Sequence, residues 1–204
     1  MNKIGIMGGT FNPIHTAHLI LAEEAYVQLG LDKILFMPSK TPPHKLNENI
    51  VSNEHRMNMI ALSIQGNEHF ELSTIELERE GITYTSDTLK GLTESVSLDS
   101  DCEYYFIVGG DSLFMMESWW EPEVIFKLSH IVVAIRGEAK EDLIEKIAYL
   151  TDKYHASIHL LRTPNLEISS HEIRMKRIVG KSIRYYVPEL VYHYIKDNDL
   201  YLFQ

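Results

Sequence analysis

The sequence predicts an α/β fold, with a doubly wound parallel sheet, helices on both faces and a small helical part at its C-terminal end. Three observations predict it. Short apolar runs, among them KIGIM, KILFM, YYFIV and IVVAI, alternate with longer segments in which apolar residues recur at helical spacing. Strands that are apolar along their whole length are typical of parallel sheets covered by helices on both faces. After about residue 165 the pattern is helical only.

The individual elements follow from these patterns and from the residues that begin or end a helix. Gly30 and Gly66 are expected to end two helices, and Ser52 is expected to cap the second of them. The stretch PSKTPPHKLNENI is expected to form a loop at residues 38–50. Strands are predicted at residues 3–7, 33–37, 70–77, 104–108, 131–135 and 158–161. Helices are predicted at residues 17–29, 52–65, 85–96, 122–128, 140–154, 170–178 and 188–197.

Length and composition bound the organisation of the chain. Its 204 residues suit one domain, which we expect to span 1–204 with a helical subdomain at about 165–204 inside it. The net charge of −10 disfavours a nucleic-acid partner but allows a small anionic ligand in a local basic pocket. The single cysteine, Cys102, excludes an internal disulfide and a cysteine-based zinc site. Without a signal-peptide pattern or a long apolar run, we expect a cytoplasmic protein with no membrane partner.

The first stretch that suggests chemistry is GGTFNPIHTAH, at residues 8–18. Its two glycines fall at the carboxyl end of the first predicted strand, where ligands bind in open α/β sheets, and glycine lets backbone approach a ligand closely. Asn12 and Pro13 are favourable residues to begin the next helix, whose N-terminus would attract an anion. His15 and His18 would then share a helix face, donate N–H groups to phosphate and add charge when protonated.

The same residues allow plainer interpretations. Two glycines can form a tight turn, and two histidines can lie on the surface. A zinc site is a further alternative, although no third ligand follows at a recognisable spacing. The stretch is neither the Gly-x-Gly-x-x-Gly pattern of dinucleotide binding nor a phosphate-binding loop that ends in Gly-Lys-Ser/Thr. The residues alone therefore leave a turn, a metal site and a phosphate site open.

Two further stretches contain candidate phosphate ligands. In ISSHEIR, Ser169 and Glu172 have the spacing of a capping box, and Arg174 can form two hydrogen bonds to a phosphate. In PPHK, two prolines stiffen the loop that carries Lys45. The plainer alternatives are a structural helix cap with a solvent-facing arginine, and a solvated lysine.

The chain resembles a known superfamily in several motifs that occur in the same order. GGTFNPIHTAH resembles the GGTFDPxHxGH signature of the nucleotidyltransferases, which transfer adenylyl or cytidylyl groups on a Rossmann-like fold. Within that superfamily the likeness is to the bacterial nicotinate mononucleotide adenylyltransferases. The other motifs that carry the likeness are MPSKTPPHK, ELEREGITYTSDTL, FIVGGDSL with a tryptophan downstream, ISSHEIR and VPELVYHYIKDNDLY.

The resemblance implies an enzyme of NAD biosynthesis. Its reaction would transfer the adenylyl group of ATP to nicotinate mononucleotide, releasing pyrophosphate and forming nicotinate adenine dinucleotide. Mg²⁺ would be bound through the substrate phosphates, with no metal site built by the protein. Nicotinamide mononucleotide or phosphopantetheine as the acceptor, and a non-catalytic nucleotide-binding regulator, stay open as alternatives. A homo-oligomer also stays open.

The resemblance further implies roles for particular residues. Charge on the reacting phosphates would be stabilised by His15, His18, Lys45 and Arg174. ATP would be bound by Gly8, Gly9, Thr10, Phe11, Gly109, Asp111, Arg136, Ile168, Ser169 and Ser170. Nicotinate mononucleotide would be bound by Thr10, Lys45, Tyr84, Thr85 and Trp119. In this interpretation the pyridine ring stacks on Trp119, Asp87 fixes the turn at Tyr84, and Trp120 packs inside the protein.

Three positions depart from the pattern of the superfamily. Asn12 replaces its usual Asp, and we expect little effect because either residue caps a helix. Ala17 replaces the usual Gly, and its methyl group would crowd or shift the nucleotide. His171 replaces the usual Thr, so we expect the triphosphate to bind more tightly as the pH falls and this imidazole becomes charged.

Overall fold

A six-stranded parallel sheet forms the centre of the computed structural model, which describes residues 2–40, 50–95, 102–136 and 139–203. The strand order is β3-β2-β1-β4-β5-β6, and each neighbouring pair runs parallel. The strands are β1 (Asn2–Gly9), β2 (Lys33–Pro38), β3 (Phe70–Leu72), β4 (Cys102–Gly109), β5 (His130–Arg136) and β6 (Ile158–Thr163). The predicted doubly wound α/β architecture is therefore confirmed.

The described residues form the following helices. They are α1 (Thr16–Leu29), α2 (Asn53–Ile64), α3 (Ile75–Glu78), α4 (Thr85–Ser95), α5 (Gly110–Met115), α6 (Pro122–Leu128), α7 (Glu141–Tyr154), α8 (Ser170–Ile178) and α9 (Glu189–Asp197). A short 3₁₀ helix at Met116–Ser118 follows α5. Within the described ranges, no helix combines the length and the apolar character that crossing a membrane requires.

Local sequence signals explain most helix ends. Gly30 follows α1 in the left-handed conformation, with φ of 60°, which glycine adopts without a steric penalty. The hydroxyl of Ser52 accepts a hydrogen bond from the backbone N–H of His55 and caps α2, as predicted. The prediction of a strand at 70–77 is wrong in its second half, which forms α3. There Ile75 packs on the core close to Gly91 of α4, so the apolar residues of this stretch serve a helical turn.

Two apolar clusters cover the two faces of the sheet, since successive strand residues point to opposite sides. On one face Met7 and Ile107 pack with residues of α1, α2, α8 and α9. On the other face Phe106 and Val133 pack with residues of α4, α5, α6 and α7. Residues after position 165, among them Ile173, share the first cluster with the sheet. The division into one domain with a C-terminal subdomain stays a prediction.

The order of the strands locates the place where a ligand would bind. The chain moves outward from β1 through β2 to β3, and it returns to the centre to place β4 on the other side of β1. At such a reversal the loops after β1 and β4 diverge and leave a crevice at the carboxyl edge of the sheet. Gly9 ends β1 and Gly109 ends β4, so both predicted glycine-containing stretches lie at this crevice.

Candidate nucleotide-binding site

The loop between β1 and α1 differs from the sequence-based prediction. The prediction that Asn12 and Pro13 begin the helix is wrong, because α1 begins at Thr16 and His15 occupies the N-cap position. Asn12 is buried, and its side-chain Oδ1 accepts hydrogen bonds from the Tyr201 hydroxyl at 3.0 Å and from the Val51 backbone at 3.3 Å. Its side chain therefore ties the loop to distant parts of the chain instead of capping α1.

The rings of His15 and His18 stack on each other at the start of α1. Their centroids are 3.6 Å apart and their planes differ by 17°. The Nδ1 atom of His18 accepts a hydrogen bond from the backbone N–H of His15 at 3.2 Å. We infer from this bond that His18 carries its proton on Nε2, which leaves that N–H to donate to a ligand.

Burial controls the charge of both imidazoles. It lowers the pKa of His15 to about 4, and it lowers the pKa of His18 well below the ordinary value, with the neighbouring His15 adding a smaller effect in the same direction. Both rings are therefore neutral near pH 7. The sequence-based idea that a protonated imidazole supplies charge is not supported here. The pair offers N–H donors, and the positive charge must come from other side chains.

Phe11 forms the support on which this histidine pair rests. Its ring is buried, and it contacts His18 edge-on with 5.1 Å between centroids. A Cβ atom at Gly9 would come within 3.2 Å of the same ring, closer than most real Cβ contacts. The ring of Phe11 therefore leaves little room for a side chain at Gly9. Its proposed contact with ATP, like those of Gly8, Thr10 and Phe11, stays a prediction.

A cavity of about 920 Å³ opens at the carboxyl edge of the sheet, beside the histidine pair. This volume is in the range of small-molecule sites. The cavity brings together eight of the predicted site residues, from three separate parts of the chain: His15, His18, Gly109, Asp111, Ile168, Ser169, Ser170 and Arg174. Ala17 and His171, two of the departures from the superfamily pattern, also line it.

Helix α8 presents its N-terminus to this cavity. The hydroxyl of Ser169 accepts a hydrogen bond from the backbone N–H of Glu172 at 3.1 Å, so Ser169 is the N-cap, as predicted. The other half of the predicted capping box is absent from the described hydrogen bonds, because the Glu172 carboxylate lies 3.4 Å from Lys176. The remaining N–H groups of the first turn are available to an anion.

Two residues of α8 also hold the loop that precedes α1. The Ser170 hydroxyl donates to the carbonyl of Pro13 at 2.8 Å, and Nη1 of Arg174 donates to the carbonyl of Asn12 at 2.8 Å. A guanidinium has five N–H donors, so Arg174 can hold the loop and still donate to a phosphate in the cavity. The two anion-binding stretches that the sequence predicts separately are thus joined through these contacts.

The sequence interpretation missed several other residues of the cavity. Among them are Phe114 on α5, Lys140 at the N-cap of α7 and Thr163 at the end of β6. Lys140 follows β5 and Thr163 ends β6, so their place at the carboxyl edge of a parallel sheet was the signal that could have identified them.

The side chains of two predicted site residues lie outside what the structure describes. Lys45 lies outside the described residues. The backbone of Arg136 ends β5, paired with Thr163 of β6, but its side chain is also outside what the structure describes. Because Ile135 and Thr163 line the cavity, the backbone of Arg136 lies at its border.

The residues predicted to bind the nicotinate ring lie outside this cavity, around the start of α4. Trp119 is half-buried and contacts Phe106 edge-on, with 6.2 Å between ring centroids. The prediction that Trp120 packs inside is wrong, because this side chain is 58% exposed. Its ring lies 5.6 Å from that of Tyr84, next to the first residue of α4, Thr85. Trp120 is thus the more accessible of the two indoles.

Ion pairs fix the surroundings of these aromatic residues. Asp87 in the first turn of α4 pairs with Arg79 at 3.0 Å, as expected of a residue that fixes this turn. On the same helix Lys90 donates to Glu121 at 2.6 Å. Since Glu121 directly follows Trp120, this bond ties the start of α4 to the tryptophan segment.

Comparison with known proteins agrees with this geometry. The sequence matches the family described as cytidylyltransferase-like over residues 6–176. It is 49% identical to a protein of Lachnoclostridium phytofermentans named probable nicotinate-nucleotide adenylyltransferase, over 99% of this chain and 100% of the relative. A protein of the same name from Clostridium botulinum is 42% identical, with 98% of each chain covered.

A solved structure shares the fold. The nicotinic acid mononucleotide adenylyltransferase of Plasmodium falciparum, solved in complexes with APC and with NaAD, superposes with a TM-score of 0.77 and 24% identity. The match covers 100% of this chain and 99% of that one. By its sequence and its fold, the present chain belongs to the cytidylyltransferase-like family and, within it, to the nicotinate-nucleotide adenylyltransferases.

Proposed function

We propose that this protein transfers the adenylyl group of ATP to nicotinate mononucleotide, releasing pyrophosphate and forming nicotinate adenine dinucleotide, a step of NAD biosynthesis. The observation that carries the proposal is the convergence of His15, His18, Arg174 and the N-terminus of α8 on one cavity. Membership of the family supports the choice of both substrates.

The chemistry requires no nucleophile from the protein. The 5′-phosphate of the mononucleotide is ionised at neutral pH and attacks the α-phosphorus of ATP in line, and pyrophosphate leaves. The protein must therefore position the two substrates and stabilise the charge that develops on the oxygens. Orientation alone can contribute about 7–11 kcal/mol to lowering the barrier.

We assign roles to His15, His18 and Arg174 from their place at the cavity, and to Lys45 from the resemblance alone. Nε2–H of His18 and the N–H of His15 would donate to phosphate oxygens as neutral groups. Arg174 and the backbone N–H groups after Ser169 would bind the triphosphate, and Lys45 would approach from its loop. The neutral imidazoles suit a site in which charge develops, because a donor adds stabilisation there without repelling the nearby guanidinium.

A divalent cation would enter this site bound to the substrate. Among the described residues, no group of three or more His, Cys, Asp or Glu side chains could hold a metal ion. The donor set therefore suits Mg²⁺ carried by phosphate oxygens and water, which is the usual arrangement for nucleotide sites. When bound, the cation would neutralise part of the charge of the departing pyrophosphate.

The acceptor would bind on the side of α4. The N–H groups at the start of α4, near Tyr84 and Thr85, suit the nicotinate carboxylate. A tryptophan face suits the pyridinium ring, and Trp119 is our candidate, with Thr10 and Lys45 near the phosphate of the mononucleotide. The single cysteine supports a reducing, cytoplasmic location, which stays a prediction, as does a homo-oligomer.

Pyrophosphate release tests the proposal directly. The protein would be given ATP and Mg²⁺ with nicotinate mononucleotide, its amide or phosphopantetheine in separate reactions. We expect the fastest release with nicotinate mononucleotide and its loss in His18→Ala, whereas His193→Ala, which changes an exposed histidine of α9, keeps full activity. Release with another acceptor would change the substrate. Binding of ATP without release from any acceptor would support a regulator instead.

A further inference from the structure

Arg56 of α2 is a buried cation that the proposed mechanism does not use. It is 0% exposed, and it is the only Lys, Arg, Asp or Glu side chain in the described ranges that is buried. Its Nη1 donates to the carbonyl of Thr10 at 2.7 Å, and its Nη2 donates to Asn53 on the same helix. Its Nε has no hydrogen-bond partner in the part of the chain that the structure describes.

A second guanidinium holds the same loop. Arg174 donates to the carbonyl of Asn12, two residues after the carbonyl that Arg56 holds. The phenol of Tyr201 is near both arginines, since it donates to the side chain of Asn12 and interacts electrostatically with each guanidinium. The loop from Thr10 to Asn12 is thus held by two cations through neutral carbonyl groups.

Neither cation has a carboxylate partner among the described residues. None of the ion pairs there includes Arg56 or Arg174. Asn12, whose backbone carbonyl accepts from Arg174, has a neutral amide side chain. Burial accordingly lowers the pKa of Arg56, although an arginine keeps its charge at neutral pH. A buried charge without a counter-charge is unfavourable, so an anion that binds nearby gains from its presence.

We propose that Arg56 is a positioning residue for adenylyl transfer. It holds the Thr10 carbonyl, and its positive charge attracts the substrate phosphates, which bind on the other side of the loop. The inference rests on the proposed function. The loop runs on from Thr10 to His15, which lines the cavity together with Arg174. A charge enclosed by protein is screened little by salt, so it acts across this short loop even though Arg56 does not line the cavity.

The sequence offers a signal for this residue in retrospect. Arg56, Met59 and Ile60 have the i, i+3, i+4 spacing that places them on one face of α2, and all three are buried. An arginine on the apolar face of a helix requires a polar partner inside the protein, and here that partner is the backbone of the Thr10 loop.

Two substitutions at Arg56 separate its charge from its hydrogen bonds. Arg56→Gln removes the charge but keeps an N–H donor, and Arg56→Lys keeps the charge with a single donor group. We would measure the dissociation constant of ATP by calorimetry, the Tm without ligand, and kcat and KM. Arg184→Gln is the matched control, because it removes an arginine from an exposed ion pair with Glu189.

The expected pattern follows from the charge. Arg56→Gln should weaken ATP binding about tenfold or more and lower kcat/KM in proportion, with a Tm within a few degrees of the parent protein. Arg56→Lys should stay within about threefold, and Arg184→Gln should bind ATP as the parent does. Equal ATP binding in Arg56→Gln and the parent, or an equal loss in Arg56→Lys and Arg56→Gln, would overturn the inference.

A second variant decides the matter if Arg56→Gln does not fold. Arg56→Met removes the charge and fills a similar volume with an apolar side chain, so it should fold and weaken ATP binding about tenfold, as expected of Arg56→Gln. ATP binding equal to that of the parent in Arg56→Met would contradict the inference. A parent protein that binds ATP but transfers nothing to any acceptor would instead overturn the proposed function, so the two failures are distinguishable.

Discussion

The imidazole of His18 accepts a hydrogen bond at Nδ1 from the backbone N–H of His15, and the two rings stack 3.6 Å apart. This arrangement fixes the orientation of His18 and leaves its Nε2–H as the donor on the ligand side. The ring of Phe11 supports His18 from another direction. A donor held on three sides in this way needs little reorganisation when a phosphate binds.

Removal of this donor should reduce the reaction rate. We expect His18→Ala to lower kcat about 10²–10³-fold, the usual effect of losing one preorganised donor to a developing negative charge. His18→Gln should recover part of the loss, because its amide N–H can occupy the position of Nε2. Steady-state kinetics at saturating ATP would measure both. A His18→Ala enzyme with the kcat of the parent would show that the ring serves packing alone.

The buried histidines should also make the stability of the protein depend on pH. His15 titrates with a pKa of about 4 in the folded protein and near 6.5 when unfolded, so the unfolded chain binds more protons between these values. The contribution of His15 to the free energy of unfolding is fully present above pH 6.5. As the pH falls toward 4, the free energy of unfolding decreases by about 3 kcal/mol, which corresponds to the 2.5-unit shift in pKa.

Urea unfolding of the parent protein and of His15→Asn between pH 7 and pH 4.5 would measure this effect. The difference between the two curves is the informative quantity, because the carboxylates titrate in both proteins. We expect the parent to lose more free energy of unfolding than His15→Asn as the pH falls. Parallel curves would contradict the assignment of a low pKa to His15.

A carboxylate on the second face of the sheet links α7 to the tryptophan segment. Glu117 accepts hydrogen bonds from Lys146, Lys153 and two tyrosines of α7, and these donors lower its pKa to about 2. Glu117 lies two residues before Trp119, and α7 begins beside the nucleotide cavity. The contact therefore joins the two proposed substrate sites.

Glu117→Gln should loosen this connection. We expect the Tm to fall by a few degrees, the tryptophan fluorescence to change, and the KM for nicotinate mononucleotide to rise more than the KM for ATP. Glu145→Gln on the exposed side of α7 is the matched control. If Glu117→Gln raises the two KM values by the same factor, Glu117 stabilises the fold without a particular effect on the acceptor site.

His171 should contribute a hydrogen-bond donor to the binding of ATP. Its imidazole is exposed and lines the cavity at the first turn of α8, where a ring N–H can donate to the triphosphate. We expect His171→Ala to raise the KM for ATP severalfold, and His171→Thr, whose hydroxyl is also a donor, to recover part of the loss. Equal KM values for ATP in His171→Ala and the parent would show that the imidazole does not contact the triphosphate.

Much of the fold could be predicted because its signals are local. Apolar runs gave five of the six strands close to their final bounds, and capping residues such as Ser52 and Ser169 gave helix starts. The stretch at 70–77 was misread because alternating apolar residues over a few positions suit either a strand or one helical turn. The packing of Ile75 beside α4 decided between them.

The candidate site was predicted in part for a similar reason. Residues at the carboxyl ends of strands and at helix starts, such as Gly109 and Ser169, could be identified from order along the chain. Lys140 and Arg56 were missed, although the place of Lys140 after β5 and the helical spacing of Arg56 with Met59 and Ile60 were signals for them. No local signal identifies the partner of either side chain. Trp120 was assigned to the interior because Trp119 matches the position of the stacking tryptophan in the resemblance, and the tertiary structure leaves Trp120 exposed instead.

The sequence by itself determined the α/β class, the order of the elements and the stretches that meet at the carboxyl edge of the sheet, since periodicity, caps and strand polarity act over a few residues. Only the tertiary structure decided the charge and the partners of those residues. His15 and His18 are neutral because the fold buries them, and Arg56 and Arg174 hold one loop because α2 and α8 both contact it. Burial and electrostatic interaction depend on distances between residues remote in sequence, and those distances exist only once the chain has folded.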